Sequence, residues 1–280
     1  MTCSAYPSGV SSIVSRPLVY LALLLPLALA ACGPSERDAS WRGDAPKAPA
    51  DPAADAGYLK PPSLTASQAQ PDGAILLTGQ AQPGSAVRLG SPTGETFNAT
   101  ASAAGVWTAR LAPSSQVRLF GLSMSPQKDR QVQSLGYLAI LPDGRAAQLR
   151  PGVSAYVYGA GSDTPRLLTI DFDRDGVASI SGSARAASSL SLRIDRVARG
   201  AGKADSQGRF HLAVEKPLNA GGLAFEIAGD SGEQTVVVPV NSAPQLSAPF
   251  RALRAGPSWR IDWPAPGGGV QTTLILDRVP

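Results

Sequence analysis

The chain has 280 residues and a formal net charge of +4, with 43% hydrophobic and 16% charged residues. That is enough apolar material for real cores, while the arginines are scattered and form no basic block of the kind that nucleic-acid binding needs. With 29 glycines and 25 prolines, the composition argues against long helices and for short strands joined by turns.

In chain order, the first feature is the uncharged apolar run from Pro17 to Ala31, preceded by Arg16. A positive residue, a short apolar stretch and small residues at its end make a secretory signal. The run is shorter than the about 20 residues a spanning helix needs, and Pro26 interrupts it. It closes on Leu29-Ala30-Ala31-Cys32, which resembles the lipobox of bacterial lipoproteins. The resemblance implies a signal peptide over 1–31, cleavage before Cys32, and acyl chains on Cys32 that hold the protein to a membrane. Gly33 stands where inner-membrane lipoproteins of Gram-negative bacteria commonly carry Asp, which favours the outer membrane, facing periplasm or cell surface. Cys3 falls inside the signal and Cys32 takes lipid, so no disulfide is expected.

Residues 32–60 are rich in Pro, Ala and Asp and have no apolar periodicity. Such a segment buries too little surface to offset chain entropy and reads as a disordered tether. Fully extended it reaches about 85 Å. Its Arg42-Gly43-Asp44 triplet is of a kind that arises by chance in flexible charged segments.

Beyond the tether the chain repeats itself. Gly79 and Gly182 are 103 positions apart, as are Gly105 and Gly208, Trp107 and Phe210, and the Asp-Gly pairs that begin at Asp72 and Asp175. Leu149-Arg-Pro-Gly-Val-Ser154 resembles Leu253-Arg-Ala-Gly-Pro-Ser258, 104 positions on. Two domains follow, over 61–172 and 173–280. Trp107, Ala109 and Leu111 alternate with polar residues, as do Phe210, Leu212 and Val214, which is the period of a half-buried strand. Further strands read at 74–79, 85–89, 116–123, 133–141, 146–149, 222–228 and 234–240. Each copy is expected to end in a hairpin, 155–159 with 167–172 and 259–263 with 272–276. The fold class is all-β, two tandem sandwiches after a signal peptide and a linker.

Gly79-Gln-Ala-Gln-Pro-Gly84 followed by Ala101-Ser-Ala-Ala-Gly-Val-Trp107 resembles bacterial immunoglobulin-like repeats, and Asp205-Ser-Gln-Gly-Arg-Phe210 resembles the same pattern in the second copy. The resemblance covers about residues 62–240. It implies an immunoglobulin-like sandwich with an extracytoplasmic role, and it specifies no ligand.

Candidate chemistry is sparse. Asp171, Asp173 and Asp175 before Gly176 match the opening of a calcium loop, but Gly182 stands where the closing Glu should be, so only a weak calcium site is expected. His211 is the sole histidine, and alternation sends it to an outward face. Ser125-Pro-Gln-Lys128 has the S-x-x-K spacing without the accompanying elements of the enzymes that use it. Asn98-Ala-Thr100 is a glycosylation sequon only by spelling. Trp259 and Trp263 share a strand face with Ile261, either as core or as a stacking surface for sugars; Arg260 and Asp262 then face solvent. No catalytic residue, metal site or cofactor is expected. The reading is a non-catalytic, lipid-anchored envelope protein acting as an interaction or structural module, with an envelope protein or polysaccharide as partner and no nucleic acid. The alternative is a carbohydrate- or peptidoglycan-binding lipoprotein.

Overall fold

The computed structural model describes residues 59–277, except residues 128, 129 and 267. Cys32, the Arg42-Gly43-Asp44 triplet and the linker up to residue 58 lie outside them. Among the described residues there are twenty strands and no α-helix, and none of the described segments is a helix long and apolar enough to cross a membrane.

The first copy contains β1 (Ser63–Ala69), β2 (Ile75–Gln80), β3 (Ala86–Gly90), β4 (Thr96–Thr100), β5 (Val106–Leu111), β6 (Arg118–Gln127), β7 (Arg130–Gln133), β8 (Tyr137–Ile140), β9 (Ala146–Leu149) and β10 (Tyr156–Val157). The second contains β11 (Arg166–Phe172), β12 (Ala178–Ser183), β13 (Ser189–Ile194), β14 (Val197–Lys203), β15 (Arg209–Ala213), β16 (Gly221–Gly229), β17 (Gly232–Val240), β18 (Arg251–Arg254), β19 (Ser258–Pro264) and β20 (Val270–Leu276). They form four antiparallel sheets: β1-β2-β5, then β10-β9-β8-β6-β3-β4 with β7 beside β6, then β15-β12-β11-β20-β19-β18, and finally β14-β13-β16-β17.

The duplication is visible in the pairing. The order β1-β2-β5 recurs as β11-β12-β15, and β4-β3-β6-β7 recurs as β14-β13-β16-β17. Even the bulge repeats, between Leu64 and Ala66 in β1 and between Leu167 and Thr169 in β11. The repeated glycines have a packing reason. Gly79 lies opposite Trp107 and Gly182 opposite Phe210. A methyl group on either glycine would stand 2.2 Å from the facing ring, so the aromatic lies flat over bare backbone.

Alternation places side chains in three cores. Leu64, Leu77, Trp107, Phe120, Leu138 and Ile140 fill the space between the three- and seven-stranded sheets. Ile170, Phe172, Phe210, Leu274, Phe225 and Val238 fill that between the six- and four-stranded sheets. A third core joins the copies: Leu119, Ala139, Leu141 and Leu149 from the seven-stranded sheet meet Ile261, Trp263 and Ile275 from the six-stranded one. The stack therefore has two outer sheets and two inner ones, and the inner pair cover each other across the third core.

This arrangement corrects two expectations. The segments 155–159 and 167–172 do not form a hairpin: β10 pairs with β9, whereas β11 pairs with β12 and β20. Strand β11 thus belongs to the second copy's sheet, although the sequence reading put its residues in the first domain. Its apolar residues Ile170 and Phe172 face the second core, and that burial decides its side. The hairpin of β19 and β20 does form. Yet Arg260 and Asp262, expected in solvent, are 7% and 0% exposed, because β19 carries no free face.

Trp263 is fully buried, and truncating it to alanine should lower stability by about 3–5 kcal/mol in a urea titration. Trp259→Ala, at a half-buried ring covered by the Arg254 guanidinium 5.3 Å from its centroid, should cost clearly less.

Candidate functional site

The polar chemistry of the molecule is concentrated in the middle layer, where the loop Arg150–Ala155 of the first copy lies across the six-stranded sheet. Strands β11, β12, β15 and β20 turn their polar residues toward this loop, since the alternate residues face the second core. Asp171 Oδ2 accepts from the Ala155 amide at 2.9 Å and from Thr169 Oγ1 at 2.9 Å, and its Oδ1 accepts from Thr273 Oγ1 at 2.6 Å. Ser181 Oγ donates to the Ala155 carbonyl at 2.7 Å. Gln271 Oε1 accepts from the Gly152 amide, and its Nε2 donates to the Arg150 carbonyl at 3.2 Å. At the far end of the layer, Arg145 reaches from the β8–β9 turn to the Leu276 carbonyl at 2.5 Å, while pairing with Asp143 and Asp277.

At the open edge, His211 Nδ1 lies 2.6 Å from Ser154 Oγ, and Arg150 Nη2 lies 3.3 Å from His211 Nε2. The same Nη2 lies 3.5 Å from Nδ1, so the guanidinium sits against the ring as a whole, and the Nδ1–Oγ hydrogen bond forms with Ser154 as donor or as acceptor according to the tautomer. The pair is a clasp between the copies, with Ser154 from the first and His211 from the second.

Burial pushes the Asp171 carboxyl up to about 6, against the pull of its four hydrogen-bond donors, Thr273, Ala155, Thr169 and Gln271. Burial, then the charges of Arg150 and Arg209, hold the His211 imidazole below its ordinary value, with Asp205 acting weakly the other way.

The structure separates the residues that the sequence grouped. Asp171 is 2% exposed and engaged in the middle layer. Asp173 sits in the exposed turn after β11, where its Oδ1 accepts from the Asp175 and Val177 amides at 2.9 Å. The three carboxylates do not converge, and among the described residues there is no group of three or more His, Cys, Asp or Glu that could hold a metal. Trp263 has no exposed face to stack on a sugar: its Nε1 donates to Thr273 Oγ1 at 3.1 Å and its ring meets Tyr137 edge-on. Ser125 lies within strand β6, and Lys128 is outside the described residues. Thr169, Ser181, Gln271 and Thr273 escaped the sequence reading. Their signal was the run of hydroxyls and amides, without lysine, on strand faces that would otherwise be taken for solvent.

Two grooves open at the rim of the middle layer, beside the turn between β19 and β20. The larger, about 1050 Å³, runs past Asp173, Asp175, Gln245 and Leu246. The smaller, about 480 Å³, is bordered by Arg88, Ser123, Gln133, Tyr137, Pro151 and Pro264.

No protein-family model matches the chain, and no curated protein matches it. Among solved structures, the chain is similar to a "Biofilm associated protein - BSP domain", with 13% identity and a TM-score of 0.24. That match covers 65% of this chain and 30% of the other, so the chain spans under a third of that protein's length.

Two pH-dependent outcomes follow from the clasp. The folded state binds the Asp171 proton more tightly than the unfolded state does, so this carboxyl adds stability as pH falls from about 6 toward about 4 and loses it as pH rises through 6. Urea titrations should show wild type gaining up to about 3 kcal/mol relative to Asp171→Asn across that window. His211 works the other way: its contribution is present above its ordinary pKa and fades as pH falls through the depressed folded one. As the sole histidine it gives one imidazole signal by NMR, which should titrate below the free value and move upward in Arg150→Gln.

Proposed function

We propose that the chain is a non-catalytic cell-envelope protein, anchored by lipid on Cys32, whose paired sandwiches act as one rigid interaction module. The observation that carries the non-catalytic part is the hydrogen-bond pattern of the middle layer. Ser154, His211 and Asp171 are the groups from which a hydrolytic triad would be built. Here Ser154 and His211 pair at 2.6 Å under the guanidinium of Arg150, and Asp171 is bonded to Ala155, Thr169 and Thr273 rather than to His211. Each is engaged in holding a loop, and the Asp171 carboxylate, bonded to that loop and to its sheet, does not orient the imidazole.

The anchor rests on the order Leu29-Ala30-Ala31-Cys32 after an uncharged apolar run. Gly33 in place of Asp supports the outer membrane. A tether of proline- and alanine-rich composition would then carry the sandwiches clear of the bilayer, where an exposed sheet face meets its partner. The immunoglobulin-like motif around Gly79 and Trp107 supports an extracytoplasmic role of this kind.

The intact mass of the mature protein should correspond to a chain beginning at Cys32 with added acyl groups. Cys32→Ser should abolish incorporation of labelled palmitate and move the protein from the membrane to the soluble fraction. A wild-type protein recovered unacylated and soluble would overturn the anchor.

A further inference from the structure

The seven-stranded sheet turns one face to the middle layer, but β3, β4, β6 and β7 extend past the region that the second copy covers. There the outward side chains form a row across four strands. Asn98 pairs with Arg88, Arg88 with Ser123, and Ser123 with Gln133. Asn98, Arg88 and Gln133 are exposed. The next row holds Gly90 opposite Gly121, two strand residues without side chains. The Arg88 guanidinium lies over this bare shelf: a methyl group on Gly90 would come within 3.3 Å of Arg88 Cζ, while one on Gly121 would meet only the Gly90 carbonyl at 3.7 Å. Half-buried Tyr137 and the prolines Pro151 and Pro264 wall the far side of the 480 Å³ groove.

We propose that this face is a binding site for an acidic polysaccharide, with Arg88 taking a uronate carboxylate. Arg88 is the single charged side chain among those lining the groove. Its hydrogen bond goes to a neutral group, Thr96 Oγ1 at 3.4 Å, and it makes no ion pair among the described residues. A guanidinium offers a planar, paired set of donors that matches a carboxylate. The neighbouring amides of exposed Asn98 and Gln133 suit sugar hydroxyls, and Gly121 leaves open backbone for a ring beside the guanidinium that rests on Gly90. An acidic peptide fits less well. Strand addition would engage the sheet edges at β4 and β7, whereas Arg88 and the glycine shelf lie on the sheet face between them, on β3 and β6. This assignment deepens the interaction-module reading by naming the partner's chemistry, and it stands apart from the lipid anchor.

The test is titration of the purified full chain with oligogalacturonate, alongside neutral dextran oligomers and oligoglutamate. Saturable binding of oligogalacturonate is expected, weakened by added salt and by at least about tenfold in Arg88→Gln, whose exposed site leaves the melting temperature unchanged. Gly90→Val, which displaces the guanidinium from the shelf, should weaken it likewise. Absence of binding, equal binding by Arg88→Gln, or equal binding of dextran would each overturn the site. Tighter binding of oligoglutamate would reassign the face to acidic peptides and overturn the polysaccharide assignment. None of these results touches the acyl mass of the mature chain, so failure here is distinguishable from failure of the anchor.

Discussion

The arrangement depends on one burial constraint: the two inner sheets must each cover the other. Leu119, Leu141 and Leu149 on one side, and Ile261, Trp263 and Ile275 on the other, are at most 1% exposed only because the copies touch. Separated, either sandwich would present a contiguous apolar face of the kind that monomeric soluble domains do not tolerate. The two copies are therefore a single packed body built from a duplicated plan, and the usual picture of tandem sandwiches as beads on a string does not apply. The body consists of unlike contacts. The hairpin strands β8, β9 and β10 extend the β6 sheet in the first copy, whereas β18, β19 and β20 extend the β11 sheet in the second. Moving the terminal strands from one sheet to the other is what lets the copies face each other.

An apolar layer alone would leave the register of the two inner sheets loosely specified. The hydroxyls, amides and carboxylate around Ala155 supply direction, because each accepts or donates at a fixed distance from the Arg150–Ala155 loop. Buried polar networks of this kind add less net stability than their number suggests, yet a shifted register would leave every member unpaired. Trp263 belongs to both systems, its ring in the apolar core and its Nε1 on Thr273. The same reasoning places Arg260 and Asp262, bonded to each other at 2.8 Å and to Thr272, as an internal pair on the opposite face of β19.

What could be read from residue order is what depends on neighbours in sequence or on the duplication. The alternation of Phe210, Leu212 and Val214, and the 103-residue echo of Gly79 and Trp107, locate strands and one core face with no knowledge of the rest. What could not be read is the second buried face. Period-2 logic assigns the residues between the apolar ones to solvent, which holds for exposed His211 but fails for Arg260 and Asp262, because β19 is covered on both faces. The acidic run shows the same limit. The spacing of Asp171, Asp173 and Asp175 suggests one cluster, but strand geometry sends Asp171 into the middle layer while the chain turns away at Asp173.

The constraint that hides the apolar faces also decides where an accessible surface remains. Two sheets of unequal outline, seven strands against six, do not superimpose, and the part of the larger that overhangs is free to meet a partner. That overhang is polar where the covered part is apolar: Ala139, Leu141 and Leu149 lie beneath the second copy, while Asn98, Arg88, Ser123 and Gln133 continue the same face beyond it. The change from apolar to polar along this face follows the limit of the covered area, as burial requires, and leaves Arg88 as the one charged side chain lining the groove there. The glycines opposite each other at Gly90 and Gly121 add nothing to strand stability, and glycine in a strand interior weakens it. At Gly90 what lies against that backbone is the Arg88 guanidinium itself, which an added methyl group would approach to 3.3 Å, while Gly121 stays open beside it.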